Sequence, residues 1–106
     1  MEVTEFPLIS VVTPVYNGAK YIAECIESVA KQSYPTIEHV IVDNASTDAT
    51  RDIVTRYATD DPRIRLVEFS DNVPVIENWN RSIGFIDDAA RFVWVLPADD
   101  ALVGES

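Results

Sequence analysis

Four aspartates and a tyrosine stand where apolar runs of this sequence stop. Asp99 and Asp100 follow Phe92-Val93-Trp94-Val95-Leu96-Pro97-Ala98, Asp43 follows His39-Val40-Ile41-Val42, and Tyr16 follows Leu8 to Pro14 by two residues. Asp48 lies in the polar turn Asn44-Ala45-Ser46-Thr47-Asp48. Two adjacent carboxylates repel one another, and partial burial adds a desolvation cost. A divalent cation relieves both, and carboxylate oxygens suit Mg2+ or Mn2+. An aromatic ring can stack on a base, a carboxylate can accept a base N–H or a ribose hydroxyl, and a metal can hold a diphosphate. Taken singly, Asp99-Asp100 reads as a solvated acidic loop. Taken together, the five residues describe a nucleoside-diphosphate site that meets phosphate through a cation.

Other phosphate-binding devices are absent. The turn after the first apolar run reads Pro14-Val15-Tyr16-Asn17-Gly18, which is neither G-x-G-x-x-G nor G-x-x-x-x-G-K-[ST]. His39 is the sole histidine and opens an apolar run, so it reads as structural. With a formal charge of −10 the chain is a poor partner for nucleic acid, whose binding needs Lys and Arg, or for an anionic membrane surface. A hydrophobic share of 47% over 106 residues excludes disorder and fits one domain with one core. Cys25, the single cysteine, cannot form an intramolecular disulfide. No secretory leader is visible and no apolar run reaches membrane-spanning length. The expected location is cytoplasmic, with the full-length form peripheral at the inner face of the membrane.

The elements that must position these residues follow from the hydrophobic periodicity. Leu8 to Thr13 reads as a strand that Pro14 ends, since proline cannot donate to a ladder. Asn17 is expected to cap a helix from Ala19 to about Lys31, with Ile22, Cys25, Ile26, Val29 and Ala30 on its inner stripe. Ser33-Tyr34-Pro35 closes it. His39 to Val42 is a second buried strand. Ser46 or Thr47 caps a second helix, lined by Ile53, Val54, Tyr57 and Ala58, and Asp48 suits its positive end. Ile64 to Phe69 mixes charge with apolar residues, as an edge strand does. A third helix starts near Pro74 and is expected to bury Val75, Ile76, Trp79, Ile83 and Ile86. Phe92 to Leu96 is the fourth strand.

Strands thus begin roughly every 26–30 residues, the spacing of βαβ units. Right-handed crossovers give an α/β fold, a three-layer α/β/α arrangement with a mostly parallel sheet. If the third strand is an edge and the fourth returns beside the first, the order is 3-2-1-4. The switch point, where open α/β sheets bind ligands, then lies between strands one and four. Thr13 to Gly18 and Pro97 to Asp100 would flank that crevice, with Asp43 next door.

Thr13-Pro14-Val15-Tyr16-Asn17, Val42-Asp43-Asn44-Ala45-Ser46-Thr47-Asp48-Ala49-Thr50 and Leu96-Pro97-Ala98-Asp99-Asp100, in that order, resemble the successive motifs of family 2 glycosyltransferases with the GT-A fold. Glu77-Asn78-Trp79-Asn80-Arg81 resembles a further segment of some members. The resemblance implies a Rossmann-like donor-binding half, a nucleotide-sugar donor, often a UDP-sugar, and Mg2+ or Mn2+. It implies that Pro14 and Tyr16 line the base pocket, that Asp43 binds the base edge and that Asp48 supports its loop. For Asn80 and Arg81 a polar helix face is the favoured reading over donor contact, although Arg81 could still reach the diphosphate. Asp99 matches the last acid of the D-x-D motif and is the first choice of metal ligand, with Asp100 second.

Two departures stand out. Pro97 occupies the place of the first D-x-D acid. The family's acceptor half and catalytic base lie downstream of that motif, so the base is expected beyond Ser106 and this chain alone is expected to transfer no sugar. The acceptor (saccharide, lipid or protein) is left open. A non-catalytic nucleotide-binding or assembly fragment, able to form a homodimer, is one alternative. A receiver-like signalling module with Asp43 as phosphoacceptor is another, disfavoured because no Lys follows Lys31.

Overall fold

A computed structural model describes residues 8–32, 36–84 and 90–96. Strands and helices alternate: β1 (Leu8–Val15), α1 (Ile22–Ala30), β2 (Ile37–Asn44), α2 (Thr50–Asp60), β3 (Ile64–Phe69), α3 (Val75–Ile83) and β4 (Ala90–Val95). Among the described residues all strand pairings are parallel and the order is β3-β2-β1-β4, with β3 at an edge.

The period of two along the strands divides the core between the two faces of the sheet. Val11, Val15 and Ile41 meet Ile22, Cys25, Ile26 and Val29 of α1 and Val54 of α2. On the other face Val12, Val40 and Val42 form a smaller cluster with Val67 and Phe69. α3 lies against β1 and β2 on that second face, where the Arg81 guanidinium stacks 3.5 Å from the Phe69 ring centre. Among the described residues the helical layers are therefore unequal: two helices on one side, one on the other.

Several local expectations need correction. β1 does not stop at Pro14 but runs through it to Val15, with Pro14 opposite Val42 and Val15 opposite Asp43. The reason lies in the ladder. Val12 accepts from Leu96 on the β4 side, and Pro14 shares its direction, but β4 has already ended at Val95. The missing N–H of Pro14 thus falls at the end of the ladder on that side, while the pairing with β2 continues to Val15. Helix α1 begins at Ile22, with Tyr21 at its N-cap position, and Asn17 caps nothing there. α2 has Ala49 at its N-cap position, so neither Ser46 nor Thr47 caps it.

The largest difference is α3, which is turned round. Ile76, Trp79 and Ile83 face solvent, with Ile76 72% exposed, while Asn78 and Ser82 are buried. Periodicity fixes which residues share a helix face but not which face lies inside. Here the inner position is decided by polar partners on β2, described below. Ile86, Ser33-Tyr34-Pro35, Pro97, Asp99 and Asp100 lie outside the described residues.

Candidate functional site

The carboxyl edge of the sheet is shaped by two loops zipped together, residues 16–21 after β1 and residues 45–49 after β2. The Asn17 backbone N–H donates to Ser46 Oγ at 2.8 Å. Asn17 Oδ1 in turn accepts the N–H groups of Thr47 (2.8 Å) and Asp48 (3.3 Å). Gly18 donates to Thr50 Oγ1 at 2.9 Å, and Ala19 to Asp48 Oδ2 at 3.1 Å. Asn17 therefore serves the neighbouring loop, not its own helix. It adopts φ 52°, a left-handed conformation that asparagine tolerates. Ala45 adopts φ 62°, at a cost of about 1 kcal/mol for a residue with a Cβ. That turn brings the Ser46 N–H back to Asp43 Oδ2 at 3.0 Å.

Asp48 is committed to the same scaffold. Oδ1 accepts the Thr50 N–H at 2.9 Å and the Thr50 hydroxyl, while Oδ2 holds Ala19. Desolvation pushes its carboxyl up, but the bonds from Thr50 and Ala19 outweigh that and hold it below the ordinary carboxylate value. Asp48 is thus placed to support the loop.

Asp43, at the end of β2, has its side chain fully buried. Oδ2 is occupied: Arg51 Nε donates to it at 2.6 Å and Ser46 N–H at 3.0 Å. Oδ1 has no hydrogen-bond partner. Arg51 is held in turn by a 2.7 Å bond from its Nη2 to the Phe69 carbonyl, with Glu68 Oε1 3.8 Å from Nη1. The hydrogen bond to Asp43 is the main cause that raises the Arg51 guanidinium above its usual value. Tyr16, directly after Val15, is about half exposed at this edge, next to the position where Val15 faces Asp43.

Asn44 points to the opposite face. Its Oδ1 accepts the Val73 N–H at 2.9 Å and Arg81 Nη2 at 2.8 Å, and its Nδ2 donates to the Val73 carbonyl at 2.8 Å. The Asn44 carbonyl accepts Asn72 Nδ2 at 2.9 Å. Arg81 is further engaged by Asn78 Oδ1 at 2.9 Å, by the Asp71 carbonyl at 3.2 Å and by the Asp71 carboxylate at 3.6 Å. The structure therefore brings Arg81 to Asn44 and the loop after β3, with its guanidinium committed there. These contacts turn the polar side of α3 inward.

Sequence reasoning named Asp43 and Asp48 but missed Arg51 and Asn44. Arg51 carried a signal: a cation in the first turn of a helix opposes the helix dipole, so another partner has to hold it. Asn44 carried none, because its partners lie 29 and 37 residues away.

No group of three or more His, Cys, Asp or Glu converges among the described residues. Asp43 Oδ2 and both oxygens of Asp48 are engaged by N–H donors. The donor set for a divalent cation is thus not built from these side chains, and the expected ligands Asp99 and Asp100 lie outside the described residues. At the opposite, amino-terminal edge, a shallow hollow is lined by Ile26, Val29, His39, Asp61, Arg63 and Ile64. His39 is buried there and shares a 2.8 Å hydrogen bond with Thr13 Oγ1, while its Nδ1 has no partner. Burial pushes its imidazole down to about 4, against a weaker pull from Asp61. Its burial and its bond to Thr13 fit a structural histidine.

Comparison with known proteins agrees with this geometry. The family described as Glycosyl transferase family 2 matches residues 10–105. TuaG of Bacillus subtilis strain 168, a glycosyltransferase named for teichuronic acid biosynthesis, is 40% identical over 94 residues, covering 89% of this chain and 36% of TuaG. The crystal structure of residues 1–349 of S. aureus TarS superposes with a TM-score of 0.79 at 32% identity, covering 89% of this chain and 28% of that one. A mannosyltransferase of Pyrobaculum calidifontis, PcManGT, solved with GDP-Man and Mn2+, gives a TM-score of 0.81 at 31% identity, covering 92% of this chain and 29% of its own. The chain spans about a third of the length of these proteins. A receiver-like reading falls away, since Asp43 is buried and ion-paired where a phosphoacceptor must be reachable. With the motifs, the fold and these likenesses in agreement, the chain belongs to glycosyltransferase family 2 and has the α/β fold of the GT-A enzymes.

Proposed function

We propose that this chain is the nucleotide-sugar-binding half of a family 2 glycosyltransferase and that its donor is a UDP-sugar. The observation that carries the reading is Asp43 Oδ1, a carboxylate oxygen without a partner at the carboxyl edge of β2. An unsatisfied buried acceptor costs roughly 1–3 kcal/mol, which a ligand N–H recovers. Pro14 and Tyr16 line the pocket for the base, with the Tyr16 ring as stacking surface. Asp43 accepts the base N–H, and Asp48 and Asn17 hold the two loops in register. Arg81, expected at the diphosphate, is assigned instead to bracing the loop after β3, because its donors are already engaged.

Asp99, with Asp100 beside it, would hold Mg2+ or Mn2+, which supplies charge neutralisation for the diphosphate when bound. A solved neighbour, PcManGT, is described with Mn2+ and GDP-Man, and TarS with UDP-GlcNAc and with UDP. We assign the acceptor-binding half and the base that deprotonates the acceptor hydroxyl to the additional length that the relatives possess. No helix among the described residues is long and apolar enough to cross a membrane.

Titration calorimetry with UDP, in the presence and absence of Mn2+, tests the reading. Binding is expected only with the metal, and Asp99→Ala is expected to abolish it without loss of fold. Metal-independent binding contradicts the metal assignment, and no binding of any nucleoside diphosphate contradicts the donor site.

A further inference from the structure

We infer that Arg51 is a positioning residue that selects the base: by occupying one oxygen of Asp43 it leaves a single acceptor, which fits the lone N–H of uracil and not the paired donors of guanine. The inference rests on the proposed role of Asp43 at the base edge.

The geometry is specific. Arg51 Nε and Ser46 N–H both converge on Asp43 Oδ2, at 2.6 and 3.0 Å, and Oδ1 is left unpartnered. Arg51 cannot swing away freely, because its Nη2 is bonded to the Phe69 carbonyl at 2.7 Å. The carboxylate plane is thus fixed from one side by a cation bound to the ends of two strands. A carboxylate with both oxygens open accepts two parallel N–H groups at once. Guanine presents such a pair, N1–H beside an N2 amino hydrogen. Uracil presents one N–H, at N3, between two carbonyls. Facing Oδ1 alone, uracil loses nothing, whereas guanine leaves one donor unpaired in a desolvated site, the kind of mismatch that discriminates strongly. Solved neighbours are described with UDP-GlcNAc and with GDP-Man, so the shared fold accepts either base and a local device has to choose.

Calorimetric titration of the purified protein with UDP and with GDP, both with Mn2+, tests this, followed by the same pair of titrations on Arg51→Met and Arg51→Lys. The wild type is expected to prefer UDP by at least about tenfold. Arg51→Met leaves Oδ2 to the Ser46 N–H alone, with a lone pair open and the carboxylate no longer clamped, so UDP weakens and the UDP to GDP ratio narrows. Arg51→Lys keeps a cationic donor and is expected to restore much of the preference. A parallel loss for both nucleotides at an unchanged ratio shows a merely structural arginine and overturns the inference. Equal or tighter GDP binding by the wild type also overturns it while leaving the donor site standing, and it decides the matter even if Arg51→Met does not fold. Failure of the wild type to bind either nucleotide removes the donor-site reading and this inference together.

Discussion

Asp43 and Asn44 are neighbours at the end of β2, and each meets an arginine, yet they do opposite work. Strand alternation sends Asp43 toward α2, where Arg51 takes one oxygen and leaves the other without a partner. It sends Asn44 toward α3, where Val73 and Arg81 fill both sides of the amide. The Asn44 side is closed: it imitates a further rung of backbone pairing and ties the loop after β3 to the sheet. The Asp43 side is open by one acceptor. A site reads as unfinished hydrogen bonding in a place where its neighbour is complete.

Removing the closed partner gives the largest expected loss of stability. Asn44→Ala strips bonds from the Val73 N–H and carbonyl and from Arg81, and about 2–4 kcal/mol should disappear in chemical denaturation. Arg81→Lys keeps the charge but loses the forked contacts and the stacking on Phe69, for roughly 1 kcal/mol, with UDP affinity nearly unchanged. If Arg81→Lys instead abolishes UDP binding at full stability, Arg81 belongs to the donor site after all.

How far all this was legible in the sequence depends on the kind of pattern. β1, β2 and most of the inner stripe of α1 followed from alternation and helical period, but Ala30, expected on that stripe, is exposed at the helix end and Ser28 is buried instead. The α3 face did not, because Asn78, Arg81 and Ser82 share a period as regular as that of Ile76, Trp79 and Ile83. Only the unmet need of Asn44 on β2 decides between them. Asp43 was legible as an acid ending a strand, but its asymmetry was not, since that depends on Arg51 arriving from the next helix. Pro14 misled because its effect depends on how far β4 extends.

The α1 side of the sheet also buries a titratable group away from the site, His39, which is 2% exposed. His39 is neutral in the fold, with its value pushed down to about 4. Below the ordinary value of about 6.5 the unfolded chain gains a proton that the folded chain refuses. Stability should therefore be undiminished above neutrality, fall by about 1.4 kcal/mol per pH unit between those values, and level off for this group beneath pH 4. Asp48 and Asp61, both held below the carboxylate norm, add their own loss only at still lower pH. Denaturation at pH 7, 6 and 5 should show the slope in the wild type and not in His39→Gln. An identical slope in both removes His39 as its source.

The open oxygen of Asp43 is most directly tested by titrating UDP into the wild type and Asp43→Asn with Mn2+ present. In the variant the amide oxygen must face the Arg51 and Ser46 donors, which leaves its NH2 opposing the uracil N–H. UDP affinity should fall at least about tenfold at a preserved melting temperature, and CDP, whose ring nitrogen there is an acceptor, should gain relative to UDP. Unchanged UDP affinity in Asp43→Asn would contradict the account.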